Sequence, residues 1–193
     1  MPRPLVPNRR DRILDAAEAL ILAHGFDAVS VATIAAQSGI GKGAVYLEFA
    51  GKREILDDLL RRAVNQVRIR VQEEVGDDAR LSTAYRAAAR AVISDRLMTA
   101  AFLDDQGVLG RHVDTVSDAR YRVRHRAVVE WLHVLQRQGR IAEEVTPEHL
   151  ALALSSATIG LLSAARLLGP IGSRELEGAI DALGAMAATF ERG

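Results

Sequence analysis

The sequence contains no cysteine among its 193 residues, which excludes a disulfide scaffold, a thiolate zinc site and a cysteine nucleophile. It also has no excess of charge of either sign, because 25 lysines and arginines balance 25 aspartates and glutamates. This balance excludes a uniformly basic coat for nucleic acid but leaves room for a local basic patch. Such a patch exists in residues 1–12, which hold four arginines against a single aspartate.

Long apolar runs are also missing. A helix that spans a bilayer needs roughly 18 or more consecutive apolar residues, and the longest uncharged run, 150–165, is interrupted by serine, threonine and glycine. That composition is typical of a buried helix. Residues 1–8 lack the apolar centre of a secretory signal. We therefore expect a cytoplasmic protein with no membrane partner.

Signatures of catalysis are absent as well. The sequence has no glycine-rich phosphate loop and no nucleophile elbow. Its histidines do not pair with carboxylates at metal-ligand spacing. We therefore predict that the chain is not an enzyme and binds no metal or cofactor.

Apolar residues recur at helical spacing throughout the chain, and no segment shows sustained alternation with a period of two. This pattern predicts an all-α fold. Glycines divide its first part into a helix that ends at Gly25, a second that Ser30 caps and Gly39 ends, and a short third helix over 41–47. Two short helices joined by a tight glycine turn indicate a helix-turn-helix. We predict a three-helix domain over 1–52, with a flexible basic arm at 1–8, and a helical domain over 53–193.

The third helix has the composition of a DNA recognition helix. A helix that enters the major groove, about 12 Å wide, needs small residues for close approach and a few donors for bases and phosphates. Gly43 and Ala44 are small, Lys42 is a long donor, and Tyr46 carries a phenol suited to a phosphate oxygen. Lys52 opens the next helix and adds another ammonium group. The alternatives are that both lysines are ordinary surface residues and that Tyr46 belongs to the core.

The stretch from Ser30 to Leu56 resembles the DNA-binding region of the tetracycline-repressor (TetR) family of bacterial regulators. The resemblance covers about residues 9–60, and the features that match are Phe26 after Gly25, Ile34, Ala35, Gly39, Gly43, Tyr46, Phe49, Lys52 and Leu56.

The resemblance implies a homodimer whose N-terminal domains bind a palindromic operator in double-stranded DNA. It further implies a C-terminal domain that dimerises and binds a small-molecule effector, and we expect a repressor that the effector releases. The residues that the resemblance assigns to DNA contact are Thr33, Lys42, Gly43, Ala44, Tyr46 and Lys52. Glu48 departs from the family pattern, because a carboxylate near phosphates weakens binding unless it turns away or pairs with Lys52 or Arg53.

The C-terminal half offers candidates for two further surfaces. Side chains suited to lining an effector pocket are Tyr85, Met98, Phe102, His125, Trp131 and Arg166. Two stripes in the last helices suit a four-helix dimer interface: Ser156, Gly160 and Ala164, and Leu176, Ile180, Leu183, Ala187 and Phe190. For both sets, packing within one subunit is the alternative explanation.

A different class of protein also fits part of the sequence. A helical small-molecule-binding or scaffold protein without DNA-binding activity is favoured by Glu48 and by the neutral net charge. Salt-dependent retention on DNA would separate this alternative from a regulator.

Overall fold

The computed structural model describes residues 8–77, 79–103, 106–110 and 113–192. These residues form α-helices and no strand, so the all-α prediction is confirmed. The helices are α1 (Arg9–His24), α2 (Val31–Ser38), α3 (Lys42–Glu48), α4 (Lys52–Val75), α5 (Leu81–Ser94), α6 (Arg96–Phe102), α7 (Gln106–Leu109), α8 (Val113–Arg137), α9 (Pro147–Leu167) and α10 (Ser173–Ala188), with a 3-10 turn at Phe26–Ala28.

The chain divides into two compact units, and the first consists of residues 1–65 and 96–113. Its core is built from buried apolar side chains on α1 to α4 and α6, among them Ile13, Ile34, Val45, Leu59 and Leu97. The domain boundary predicted from the sequence, after residue 52, stays a prediction. The compact first unit extends further, to residue 65, and also includes residues 96–113.

Gly25 shows why the first unit needs a glycine between α1 and the 3-10 turn. Its φ of 79° lies in the region that side chains disfavour. A Cβ at this position would also collide with the carbonyl oxygen of Gly107 in α7. Gly25 therefore permits the close approach of two backbone segments.

The second unit consists of residues 66–95 and 114–193. Its core contains Tyr85 of α5, Leu132 of α8, Ala151 of α9 and Ala187 of α10. Two backbone hydrogen bonds join the C-terminal residues to the loop after α8, from Ala142 N to Phe190 O at 3.0 Å and from Arg192 N to Arg140 O at 2.9 Å. Both bonds fix the end of α10 against the core.

Among the helices of the described ranges, none has the length and apolar character needed to cross a membrane.

Candidate nucleic-acid interface

The start of α2 is fixed by a reciprocal cap, as the sequence predicts for Ser30. The Ser30 hydroxyl accepts a hydrogen bond from the Thr33 backbone N–H at 3.1 Å, and the Thr33 hydroxyl accepts one from the Ser30 N–H at 3.0 Å. The Thr33 hydroxyl also donates to the Ser30 carbonyl at 2.8 Å. Thr33 is exposed, but its hydroxyl already has partners in this capping box.

The turn between α2 and α3 is a left-handed glycine turn. Gly39 has φ 64° and ψ 27°, and its N–H bonds to the last turn of α2. Arg12 of α1 donates to the Ser38 carbonyl at 2.7 Å, which satisfies an acceptor at the end of α2. The Gly39 N–H bond and the Arg12 side chain thus hold the turn, and they fix the direction in which α3 leaves α2.

α3 presents most of its predicted contact residues outward. Val45 is fully buried and anchors α3 in the core of the first unit, whereas Lys42 and Gly43 are exposed and Tyr46 is 50% exposed. Ala44 is half-buried on the flank of the helix. Tyr46 is therefore not a core tyrosine, and the small and donor-bearing face predicted from the sequence lies on the surface.

Glu48, the residue that departs from the family pattern, has a partner that the sequence did not indicate. Its carboxylate pairs with the Arg9 guanidinium at 3.3 Å, and not with Lys52 or Arg53. Since the Arg9 charge offsets it, the repulsion that Glu48 would exert on phosphates is reduced. This geometry removes one of the two reasons for considering a protein without DNA-binding activity.

Arg10 connects the end of α3 to α4. Its guanidinium donates to the Glu48 carbonyl at 2.9 Å, bonds to the buried Asp58 carboxylate, and lies 4.2 Å from the centre of the Phe49 ring. Arg61 pairs with the same carboxylate from within α4. Arg10 and Asp58 thus hold the end of α3 on α4, a role that the sequence did not reveal because these residues lie 48 positions apart.

Three of the four arginines in the basic patch at residues 1–12 belong to the first helix and not to the predicted arm at 1–8. Arg9, Arg10 and Arg12 all lie in α1 and make the intramolecular contacts described above. Residues 1–7, with Arg3, lie outside the described residues. Asn8 begins α1 in a left-handed conformation with φ 57° and without a side-chain cap.

Lys52 points back toward the 3-10 turn. Its ammonium lies 3.1 Å from the Phe26 carbonyl, 3.4 Å from that of Asp27 and 3.1 Å from that of Val29, and 4.5 Å from the centre of the Phe26 ring. An ammonium group has three donors, and three carbonyl oxygens receive them here. The DNA contact predicted for Lys52 from the resemblance is untested, and in this geometry it would require these bonds to break.

The six residues predicted to line an effector pocket do not come together in one unit. Met98 is buried in the first unit, whereas Tyr85, His125 and Trp131 belong to the second. The Tyr85 hydroxyl lies 3.2 Å from the Thr158 hydroxyl, and burial raises the pKa of the Tyr85 phenol. The side chains of Phe102 and Arg166 lie outside the described residues.

An open cleft of about 390 Å³ lies elsewhere in the second unit, between the end of α4, α5 and α10. Arg90 lies beside it and bonds to Glu177 at 2.8 Å, with Glu74 at 3.3 Å and Asp181 at 3.4 Å. None of the six residues predicted to line an effector pocket lines this cleft.

The two predicted dimerisation stripes differ in their surroundings. On α9, Ser156 and Gly160 are exposed and Ala164 is half-buried. On α10, Ile180 and Ala187 are buried, and Leu183 and Phe190 pack against the core cluster of the second unit, with Leu176 half-buried. Packing within one subunit, the alternative explanation, accounts for the α10 stripe because its side chains face α5 and the core.

Exposed apolar residues occur on both of these helices, on the predicted face of α9 and away from the predicted stripe of α10. Leu152 and Ile159 are exposed on the same face of α9 as Ser156 and Gly160. On α10, Met186 is 63% exposed, and Ala182, one turn before it, is also exposed. Within the described residues, no group of histidines and carboxylates is arranged to hold a metal ion.

The model of the tetR family of bacterial regulatory proteins matches residues 13–59, the part of the chain that contains the helix-turn-helix. This part of the chain is therefore similar to the DNA-binding region of the TetR family. It is 34% identical over 68 residues to the fatty acid metabolism regulator protein of Bacillus subtilis, and this match covers 35% of each chain. It is also 35% identical over 74 residues to the HTH-type transcriptional repressor KstR2 of Mycobacterium tuberculosis, over 38% of this chain and 37% of that protein.

Matches to these curated relatives thus span little more than a third of their length. The fold agrees over a longer range. A TetR-family transcriptional regulator from Rhodococcus sp. superimposes with a TM-score of 0.77 over 95% of this chain and 100% of that chain, at 18% identity. The family model thus matches residues within the first unit only, whereas the likeness in fold extends over most of the chain.

Proposed function

We propose that this chain is a TetR-family transcriptional regulator that binds a palindromic DNA operator as a homodimer and is released from it by a small-molecule effector. The observation that carries the proposal is the outward face of α3, which is exposed and bears small residues, an amine and a phenol. A helix with such a face fits a major groove.

In the proposed complex, Lys42 and Tyr46 supply donors, and Gly43 and Ala44 permit close approach. Lys42 reaches a guanine or a phosphate, and the Tyr46 hydroxyl reaches a phosphate oxygen. Thr33 contributes at the start of α2, where its capping box keeps the hydroxyl oriented near the surface. Lys52 acts indirectly, because its ammonium holds the 3-10 turn that leads into α2.

Dimerisation is proposed through the exposed faces of α9 and α10. Large apolar side chains on these faces, Leu152, Ile159 and Met186, would be covered by the same faces of a second copy, and the small residues beside them would let the helices approach closely. This assignment keeps Ser156, Gly160 and Ala164 from the sequence analysis. It replaces the buried α10 stripe with the exposed side of that helix that carries Met186.

Regulation follows from the continuity of α4 through both units. An effector that binds the second unit more tightly in one dimer state shifts the population toward that state. Two recognition helices that must meet half-sites about 34 Å apart then lose their match to the operator. A coupling free energy of about 1 to 3 kcal/mol is enough to lower operator affinity 5- to 150-fold. We propose that the regulator represses transcription because the chain is similar to KstR2, a transcriptional repressor.

The test is selection of bound duplexes from a random library with the full chain, followed by titration of the selected site at several salt concentrations. We expect a palindrome and an affinity that falls steeply with salt. A chain that retains no duplex at low salt would contradict the proposal and favour a helical ligand-binding or scaffold protein.

A further inference from the structure

One apolar side chain stands at the centre of the outward face of α3. Successive helical residues are about 100° apart. With Val45 fully buried at the back of α3, Gly43 and Leu47 therefore fall about 20° to either side of the line that points straight outward. Leu47 is 81% exposed. The flanks on either side carry Tyr46 and Ala44.

The chemistry of leucine limits what this position can recognise in DNA. Leu47 has no hydrogen-bond donor or acceptor, so it bonds neither to phosphates nor to the polar edges of bases. The apolar group that bases present in the major groove is the C5-methyl group of thymine. Contact with that methyl removes apolar surface of both partners from water, whereas contact with any other base edge desolvates a polar group without replacing its hydrogen bond.

Gly43 brings Leu47 within reach of the bases. It lies one turn before Leu47 on the same face, and a Cβ at Gly43 would meet no atom of the chain within 4 Å. The space in front of Gly43 is therefore open, and the helix axis can approach the floor of a groove closely there. A side chain of moderate length one turn further along then meets the base edges.

We propose that Leu47 reads a thymine methyl group in each operator half-site and so sets a sequence preference that involves no hydrogen bond. The proposal rests on the proposed function, since it requires α3 to lie in the major groove. It adds a specificity-determining residue to the contacts made by Lys42 and Tyr46.

The test replaces each thymine of the selected half-site in turn by deoxyuridine, which lacks only the C5-methyl group. Binding of the full chain to each duplex is measured for the wild type, Leu47→Ala and Ala44→Gly. Removal of one buried methyl is worth about fourfold in affinity. We expect the wild type and Ala44→Gly to lose about fourfold at one thymine, and Leu47→Ala to bind the thymine and deoxyuridine duplexes equally. Because Leu47 is largely exposed, its truncation leaves the first unit folded, which circular dichroism checks.

The outcomes separate this inference from the proposed function. If the wild type binds a selected palindrome but is insensitive to deoxyuridine at every position, the assignment of Leu47 is wrong and DNA binding by α3 stands. The same holds if Leu47→Ala keeps the full sensitivity while Ala44→Gly loses it, because Ala44 then reads the methyl. If no duplex is selected at all, the proposed function fails and the inference fails with it.

Discussion

Replacement of Lys52 by methionine tests whether this lysine acts on protein or on DNA. Methionine keeps an unbranched apolar side chain but removes the ammonium, which leaves the carbonyls of Phe26, Asp27 and Val29 without their shared donor. Two of these bonds are partly buried, and water can replace the third. At roughly 1 kcal/mol for each partly buried bond, and a similar amount for the ring contact, the free energy of unfolding falls by about 2 to 3 kcal/mol.

Urea unfolding followed by far-UV circular dichroism measures this loss. Fluorescence is less suitable because the single tryptophan, Trp131, lies in the second unit. Operator affinity is then titrated against salt for Lys52→Met and for Lys42→Met as the matched control. We expect the salt slope to stay unchanged for Lys52→Met, whereas a lost phosphate contact would lower it by about 0.9. A Lys52→Met protein that is as stable as the wild type and has a lowered slope would refute the reasoning.

Three further predictions concern other contacts. Arg10→Ala should lower the free energy of unfolding by about 1 to 3 kcal/mol in urea, because the buried Asp58 carboxylate keeps only one partner, and an unchanged value would contradict this. Met186→Asp should leave the fold intact but convert the proposed dimer to a monomer in sedimentation, and a stable dimer would place the interface elsewhere. Since burial raises the pKa of Tyr85, its stabilising contribution is complete below pH 10.0, the ordinary pKa of tyrosine, and is lost above it. Tyr85→Phe should therefore flatten the alkaline fall in melting temperature, and an identical fall in both proteins would argue against this assignment.

Local signals in the sequence were sufficient for the helix-turn-helix. Ser30 caps a helix through its own short side chain, and Gly39 permits a left-handed turn, so both act within a few residues of their position. The outward face of α3 followed from the same kind of signal, because the periodicity around Val45 fixes which residues point away from the core.

Contacts between distant residues were not accessible in this way. The break between α5 and α6 at Asp95 is marked by neither glycine nor proline, and the sequence gives no local sign that residues 96–113 belong to the first unit. The sequence shows that Lys52 carries an ammonium group. The direction in which its side chain points depends on backbone carbonyls about 25 residues earlier in the chain. Helical spacing likewise showed that Ile180 and Ala187 share a face, but not that α5 of the same chain covers it.

The most direct test of the account is whether operator DNA covers the outward face of α3. The natural chain has no cysteine, so Leu47→Cys introduces a single thiol at an 81% exposed position of this face, with a side chain smaller than the native one. Glu130→Cys, on the exposed side of α8 in the second unit, is the matched control. We predict that saturating operator slows maleimide alkylation at position 47 at least about tenfold and leaves position 130 unchanged, as expected for a residue enclosed in a major groove. Equal alkylation rates at position 47 with and without bound operator would contradict the claim that α3 is the recognition helix.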